Sequence, residues 1–363
     1  MDKGKRLAMA AISLLAVHGL AIAQEQVDAA AVSSRMAQLG LQNVDWGVLL
    51  ETEAYYVDVG GKQESDIVQA TVAFTLEAEA SDWLRGQVGL LWEQYSREDD
   101  NVDEAFIMLG ATSTMPFYLV AGRFYQPVGE FQSTFISDPL TLELMEMDRV
   151  AAMAGYAAEW IDVNAGVFRG ETKAGYEIDG GGQTNGIGDS ALSDYFASIR
   201  IFPIDEVAVG AYWLSDLMET YNYGQVGDGV ATASGYEKRG AAGAFAHCHL
   251  HLVELSVEYA SALGNYDLPT GSFTPSALHL ECCFHVHEHV LCAIKYEASD
   301  DLYAAYDRGL AKFGDKFPGQ AYGAMVGYAF HENATISAEY LRLVELDDGE
   351  DGHLSTVQLA FKI

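Results

Sequence analysis

The sequence predicts an all-β protein, a transmembrane antiparallel β-barrel of about 16 strands with short periplasmic turns and long extracellular loops. Three observations predict it. From Trp46 onward, apolar and polar residues alternate with a period of two, in segments near the length a tilted strand needs to cross a bilayer. The connections between segments are long and short by turns, which sorts them onto two sides. The chain ends on Val357, Leu359, Phe361 and Ile363, alternating to its final residue. A soluble sandwich also alternates but has no reason to sort its loops by side. Barrel closure, unlike an open sheet, satisfies every backbone donor in lipid.

The elements follow in order. Residues 1–23 read as a secretory signal peptide: Lys3, Lys5 and Arg6, then an apolar run from Leu7 to Leu20, then the small-x-small site Ala21-Ile22-Ala23. Residues 24–43 form a short periplasmic segment and 44–363 the outer-membrane barrel. In "DWGVLLETEAYYV" Trp46, Val48 and Leu50 oppose Glu51 and Glu53. In "IVQATVAFTLEAEA" Val68, Ala70, Val72, Phe74 and Leu76 oppose Gln69, Thr71, Glu77 and Glu79. Similar segments continue to "STVQLAFKI". "GGKQES" reads as the first long connection, Ser81-Asp82 as the first tight one, 125–147 as the longest outward loop, and "HEN" and "DDGEDG" as the last short and long ones.

The net charge is −33; the first 23 residues contribute +2 (Lys3, Lys5 and Arg6 against Asp2), leaving −35 for the rest. Such a chain does not suit nucleic acid, which is bound by clustered Lys and Arg. It suits a pore that attracts cations. Sixteen strands leave a water-filled lumen, and a 24–43 segment is too short for a plug.

A pore selects by width and by the charges that line it. The alternation places Glu51, Glu53, Glu77, Glu79, Arg85, Glu93, Arg200, Glu254, Glu258 and Glu339 on the lumen face. The loop at 125–147 is expected to fold inward, bringing Glu130, Asp138, Glu143 and Glu146, with Asp138 capping a short helix that begins at Pro139. Arg149 is expected to face loop carboxylates across the constriction. Gly86, Gly89, Gly210, Gly323 and Gly327 suggest walls kept open.

Seven of the ten histidines and all four cysteines lie in "AHCHLHLVEL" (246–255) and "HLECCFHVHEHVLC" (279–292). The loop rhythm puts these at consecutive periplasmic turns. His247, Cys248, His249 and His251 then face His285, His287 and His289, a donor set suited to zinc, copper or iron. Solvated turn histidines give the same pattern. Alternation puts Cys283 and Cys292 on opposite faces of their hairpin and Cys282 toward lipid. Asp99, Asn101 and Asp103 repeat the start of a calcium loop, but Glu104 stands where its glycine belongs, so divalent cations bridging acidic loops to lipopolysaccharide are the expectation there. Catalysis is not expected, because the one histidine on the outer side, His353, has no serine on a fixed wall beside it.

"VDEAFIMLG", "PFYLVAGRFYQPVGEF" and "ISDPLTLEL", between residues 102 and 144, resemble motifs of the LbtU family of outer-membrane siderophore porins. The opening "WGVLLETEAYY" and the order of hairpins are also similar. The resemblance implies a sixteen-stranded barrel that passes ferric siderophore without an energy-coupling box. A general cation-preferring diffusion porin remains the alternative, with a filled structural barrel behind it. The expected partners are a ferric siderophore or another small polar solute, outer-membrane lipid and lipopolysaccharide, and the outer-membrane assembly machinery. A homo-oligomer is left open.

Overall fold

A computed structural model describes residues 44–94, 101–112, 114–170, 192–220, 238–268, 271–302, 317–345 and 349–363. The signal-peptide and 24–43 assignments, and Asp99, lie outside these residues. Sixteen strands close one antiparallel barrel. In chain order they are β1 (Val44–Val59), β2 (Lys62–Ser81), β3 (Leu84–Trp92), β4 (Val102–Gly110), β5 (Phe117–Tyr125), β6 (Asp148–Ala158), β7 (Ile161–Phe168), β8 (Asp194–Ile204), β9 (Val207–Leu214), β10 (Ala241–Leu250) and β11 (Val253–Ala262). A small hairpin, β12 (Tyr266–Leu268) and β13 (Gly271–Phe273), interrupts the wall, which resumes with β14 (Ser276–His287), β15 (Val290–Asp300), β16 (Gln320–His331), β17 (Ala334–Val344) and β18 (Gly352–Lys362). The β12–β13 hairpin occupies a stretch that reads as plain loop in the sequence.

The period of two decides which side chains meet lipid. On β11, Leu255, Val257 and Tyr259 are exposed outward while Glu258 between them is buried. Every tryptophan of the barrel (Trp46, Trp83, Trp92, Trp160 and Trp213) is exposed on the outer surface, as interfacial girdles require. Val357, Leu359 and Phe361 also point outward, and β18 closes the barrel on β1 from Leu49↔Lys362 to Val59↔Gly352.

The alternation breaks at bulges that sequence periodicity does not reveal. Glu51 pairs Thr71 but Thr52 pairs Gln69, so Ala70 is an extra residue on β2. Beyond it the faces exchange: Val68 is 6% exposed and Ile67 71%. Val68 therefore faces inward, on the side opposite Val72, contrary to an unbroken alternation. The first outward connection is also shorter than it reads. Gly60 and Gly61 have φ of 57° and 80°, the primed hairpin turn that two consecutive positive-φ residues allow, and pairing resumes at Val59↔Lys62. The "KQES" stretch thus extends β2 instead of forming a loop.

Several wall glycines admit rings instead of opening the lumen. A side chain on Gly210 would overlap the ring of Phe245, and one on Gly243, Gly155 or Gly166 the rings of Tyr212, Tyr118 or Phe196. In all four pairs the glycine lies directly opposite its aromatic residue. Gly323 likewise receives Leu341. These rings form the lumen-side core of β5–β10.

Candidate functional site: a loop clamped inside the barrel

The loop between β5 and β6 packs within the lumen. Val128, Phe131, Leu140, Leu142, Leu144, Met145 and Met147 join the buried cluster of inward wall residues, among them Phe106, Phe124, Phe168, Phe196 and Tyr212, with Leu217 from the segment after β9. Phe135 seats separately against Cys283, Leu291, Ala293, Met325 and Leu341. The loop carries one helical turn and a half, α1 (Leu140–Met145), whose amide groups at Leu142 and Glu143 bond the carbonyl of Pro139. Pro139 is the cap and no side chain assists it, so Asp138 does not N-cap the helix and instead stays exposed.

Burying an irregular loop would orphan its amide groups. Four wall glutamates answer six of them. Glu258 on β11 accepts from Glu130 N at 3.0 Å and Phe131 N at 2.8 Å. Glu281 on β14 accepts from Thr134 N at 2.8 Å and from the hydroxyls of Ser133 and Thr134. Glu339 on β17 accepts from Ile136 N at 2.7 Å and Ser137 N at 3.0 Å, and Glu297 on β15 from Leu140 N at 2.9 Å. Two cations complete the clamp. Lys295 donates to Ser137 Oγ at 2.8 Å and lies over the Phe135 ring at 4.7 Å, and Arg200 pairs with Glu130. His279 Nδ1 is 3.0 Å from Glu297, and Tyr212 donates to Glu258 at 2.8 Å.

This arrangement revises the lining expected from alternation. Glu258, Glu339, Glu130 and Arg200 do face the lumen, but they hold the loop instead of standing free in the channel. Glu281, Glu297, Lys295 and His279 belong with them and were missed. Their signal was present, since His279, Glu281, Lys295 and Glu297 all occupy the inward phase of β14 and β15. The histidines and cysteines of "HLECCFHVHEHVLC" hide it for His279 and Glu281, and Lys295 and Glu297 lie just beyond that stretch.

The acids Glu51, Glu53 and Glu77 are less buried than those that hold the loop. Glu51 and Glu53 lie half-buried on β1, with Glu53 receiving Gln358 Nε2 at 2.9 Å. Glu77 is half-buried on β2, Arg85 on β3 is buried opposite Glu79, and Glu93 follows the end of β3. The exposed Asp138 of the loop is within electrostatic range of Glu53. Glu143 and Glu146 are half-buried on the loop. Burial and the neighbouring carboxylates of Asp138, Glu143, Asp148 and Asp103 hold Glu146, outside the spanning strands, well above its ordinary pKa. The guanidinium of Arg149 donates to the backbone carbonyl of Glu219, from the segment after β9, at 3.1 Å.

At the opposite rim, the turns after β10 and β14 lie side by side, because β11 pairs β14. His249 Nδ1 and His285 Nε2 are each 2.8 Å from Glu254 Oε1, and His247 Nδ1 is 3.0 Å from Ser256 Oγ. His251, His287 and His289 are exposed at the two turns. Cys248 cannot join them. It alternates with His247 and His249 and pairs Leu255, which faces lipid. Cys283 pairs Ala293 while Cys292 pairs Phe284, so the two thiols project to opposite faces, and all four cysteines are free.

No family model matches the chain. A Coxiella burnetii protein named UPF0422 protein is 25% identical over 249 residues, 65% of this chain and 51% of that one. The chain thus spans about half the length of this curated relative. Among solved structures, the outer membrane channel DcaP of Acinetobacter baumannii aligns with a TM-score of 0.58 and 12% identity, covering 88% of this chain and 97% of that one. OmpF of Salmonella typhi, solved with daunomycin, aligns at 0.60 and 14%, covering 88% and 98%. An anion-selective porin from Comamonas acidovorans aligns at 0.60 and 10%, covering 88% and 99%. At these identities the likeness is one of architecture, and with the lipid-facing belt it defines the chain as a sixteen-stranded β-barrel of the bacterial outer membrane.

Proposed function

We propose that the protein is an outer-membrane porin through which small polar solutes diffuse, and that its preferred cargo is a ferric siderophore taken up without energy coupling. The observation that carries the porin reading is the clamped loop. Spending six charge-accepted amide bonds and two apolar clusters to hold one segment inside a barrel narrows the lumen without filling it with a separate plug. The siderophore reading rests on the LbtU-like motifs. Those residues are β4, β5, the first part of the loop and α1, so the resemblance is concentrated on the wall and loop that set the constriction.

A general cation-preferring pore is the second reading. The crowd of Asp138, Glu143 and Glu146 near Asp103 and Asp148 favours it. Such a crowd attracts cations whatever their chemistry.

Single-channel recording in a planar bilayer separates the two. Titration with a ferric chelate that blocks the current, while its iron-free form does not, supports the siderophore porin. An open channel indifferent to both leaves the general pore. Absence of any current in a folded protein defeats both.

A further inference from the structure

We propose that His249, Glu254 and His285 bind one divalent first-row transition ion, of the zinc or ferrous type, at the periplasmic mouth of the barrel. The strand register builds the site. His249 on β10 lies directly opposite Glu254 on β11, and Glu254 opposite Cys283 on β14, which puts His285 two residues further along the same inward face. Three adjacent strands thus present an imidazole, a carboxylate and an imidazole in one row.

The atoms converge on one point. Glu254 Oε1 is 2.8 Å from both His249 Nδ1 and His285 Nε2, and the two rings lie 6.0 Å apart at 64°. A single carboxylate oxygen shared by two imidazoles is a metal-free arrangement in which N–H protons occupy the place of the ion. A metal ion displaces those protons, as it does whenever histidines become ligands. With metal–ligand bonds of about 2.1 Å, donors on a tetrahedral ion stand roughly 3.4 Å apart, so each contact opens by about 0.6 Å. Among the described residues no group of three His, Cys, Asp or Glu side chains stands ready to hold a metal ion, so the proposed site forms only with this opening. The side chains have room for it, with exposures of 54% for His249, 37% for His285 and 24% for Glu254. The same exposure gives ions a path from water.

The donor set chooses the ion. Two imidazoles with one carboxylate suit zinc and ferrous iron, and leave at least one position for water, whereas calcium and magnesium seek oxygen alone. The other histidine–carboxylate cluster does not qualify. His279 with Glu281 and Glu297 is sealed beneath the loop, and the Lys295 ammonium stands 3.2 Å from Glu297, where it repels a cation. A bound ion ties β10, β11 and β14 together at the rim and sets positive charge below the acidic constriction.

The test uses the full chain, folded in detergent, stripped with chelator and titrated with zinc by calorimetry, with metal counted by mass spectrometry after dialysis. One zinc per chain is expected. Affinity should fall at least about tenfold in His249→Ala/His285→Ala and in Glu254→Gln, and remain in His287→Ala/His289→Ala. Cobalt should give an imidazole-ligand absorption band in the wild type that the first variant lacks. Equal binding by wild type and the His249/His285 variant, loss confined to the His287/His289 variant, or no binding by the wild type would each overturn the proposal. Unchanged electrophoretic mobility and circular dichroism show that a variant has folded. If the double variant does not fold, Glu254→Gln, nearly identical in shape, decides the matter. Bound metal is read independently of what the channel carries, so failure here leaves the porin reading untouched.

Discussion

Phe131 N donates to Glu258 Oε2 at 2.8 Å across 127 positions of sequence. Phe131 also has a φ of 49°, a left-handed conformation that a ring-bearing residue adopts only under constraint. The wall carboxylate and the loop backbone therefore fix each other, and the consequences are measurable.

Glu258→Ala removes the acceptor for Glu130 N, Phe131 N and the Tyr212 hydroxyl together. Bonds to a charged acceptor contribute about 1.5–3 kcal/mol each, and the loop amides would be left buried without partners. The expected outcome is a loosened loop, seen in single-channel records as larger mean current with rapid flicker. A trace identical to the wild type would show that apolar packing alone holds the loop.

On the porin reading proposed above, Asp138→Asn and Glu143→Gln neutralise two carboxylates of the inward loop that crowd Glu146. Cation preference should fall in each and further in the double variant, measured as a reversal potential across a salt gradient. The shift should shrink at high salt, where exposed charges are screened within about 3 Å at 1 M. A reversal potential that does not move would place the selecting charges elsewhere.

Glu146 sets a dependence on pH. Its folded-state pKa stands above the ordinary 4.5, so the folded chain retains a proton that the unfolded chain releases once pH passes that value. Its contribution is fullest below pH 4.5 and declines as pH rises toward the folded value. Glu146→Gln keeps the neutral shape and should remove this part of the slope. Thermal midpoints followed by circular dichroism at a series of pH values give the check; parallel slopes for the two proteins would contradict it.

Gly243→Val places a side chain in the space that the Tyr212 ring occupies, and so also displaces the Tyr212 hydroxyl from Glu258. Overpacking of this kind costs about 1–3 kcal/mol. The variant should unfold at lower temperature and show the same flicker as Glu258→Ala. Lower stability with a quiet channel would separate the wall packing from the clamp.

The strands were legible because a barrel in lipid leaves each side chain two choices, and the period of two records them along Leu255, Val257 and Tyr259. The bulge at Ala70 was not, because one extra residue exchanges the faces while leaving composition unchanged. The inward loop was suggested by its length and place. Its anchors were harder to see, since an inward glutamate on β11 or β17 reads as a water-facing residue until the loop is laid across it.

The all-β barrel, its run of antiparallel strands and its acidic character are all legible in the chain, because hydrophobic periodicity and connection length are local properties that barrel closure must obey. Which acids bind the loop is visible only in the folded chain. The tertiary structure likewise decided that Cys248 leaves the histidines and that Glu254 joins His249 to His285. Those outcomes depend on register between strands and on contacts between residues more than a hundred positions apart, such as Glu130 and Phe131 with Glu258. No local pattern encodes them.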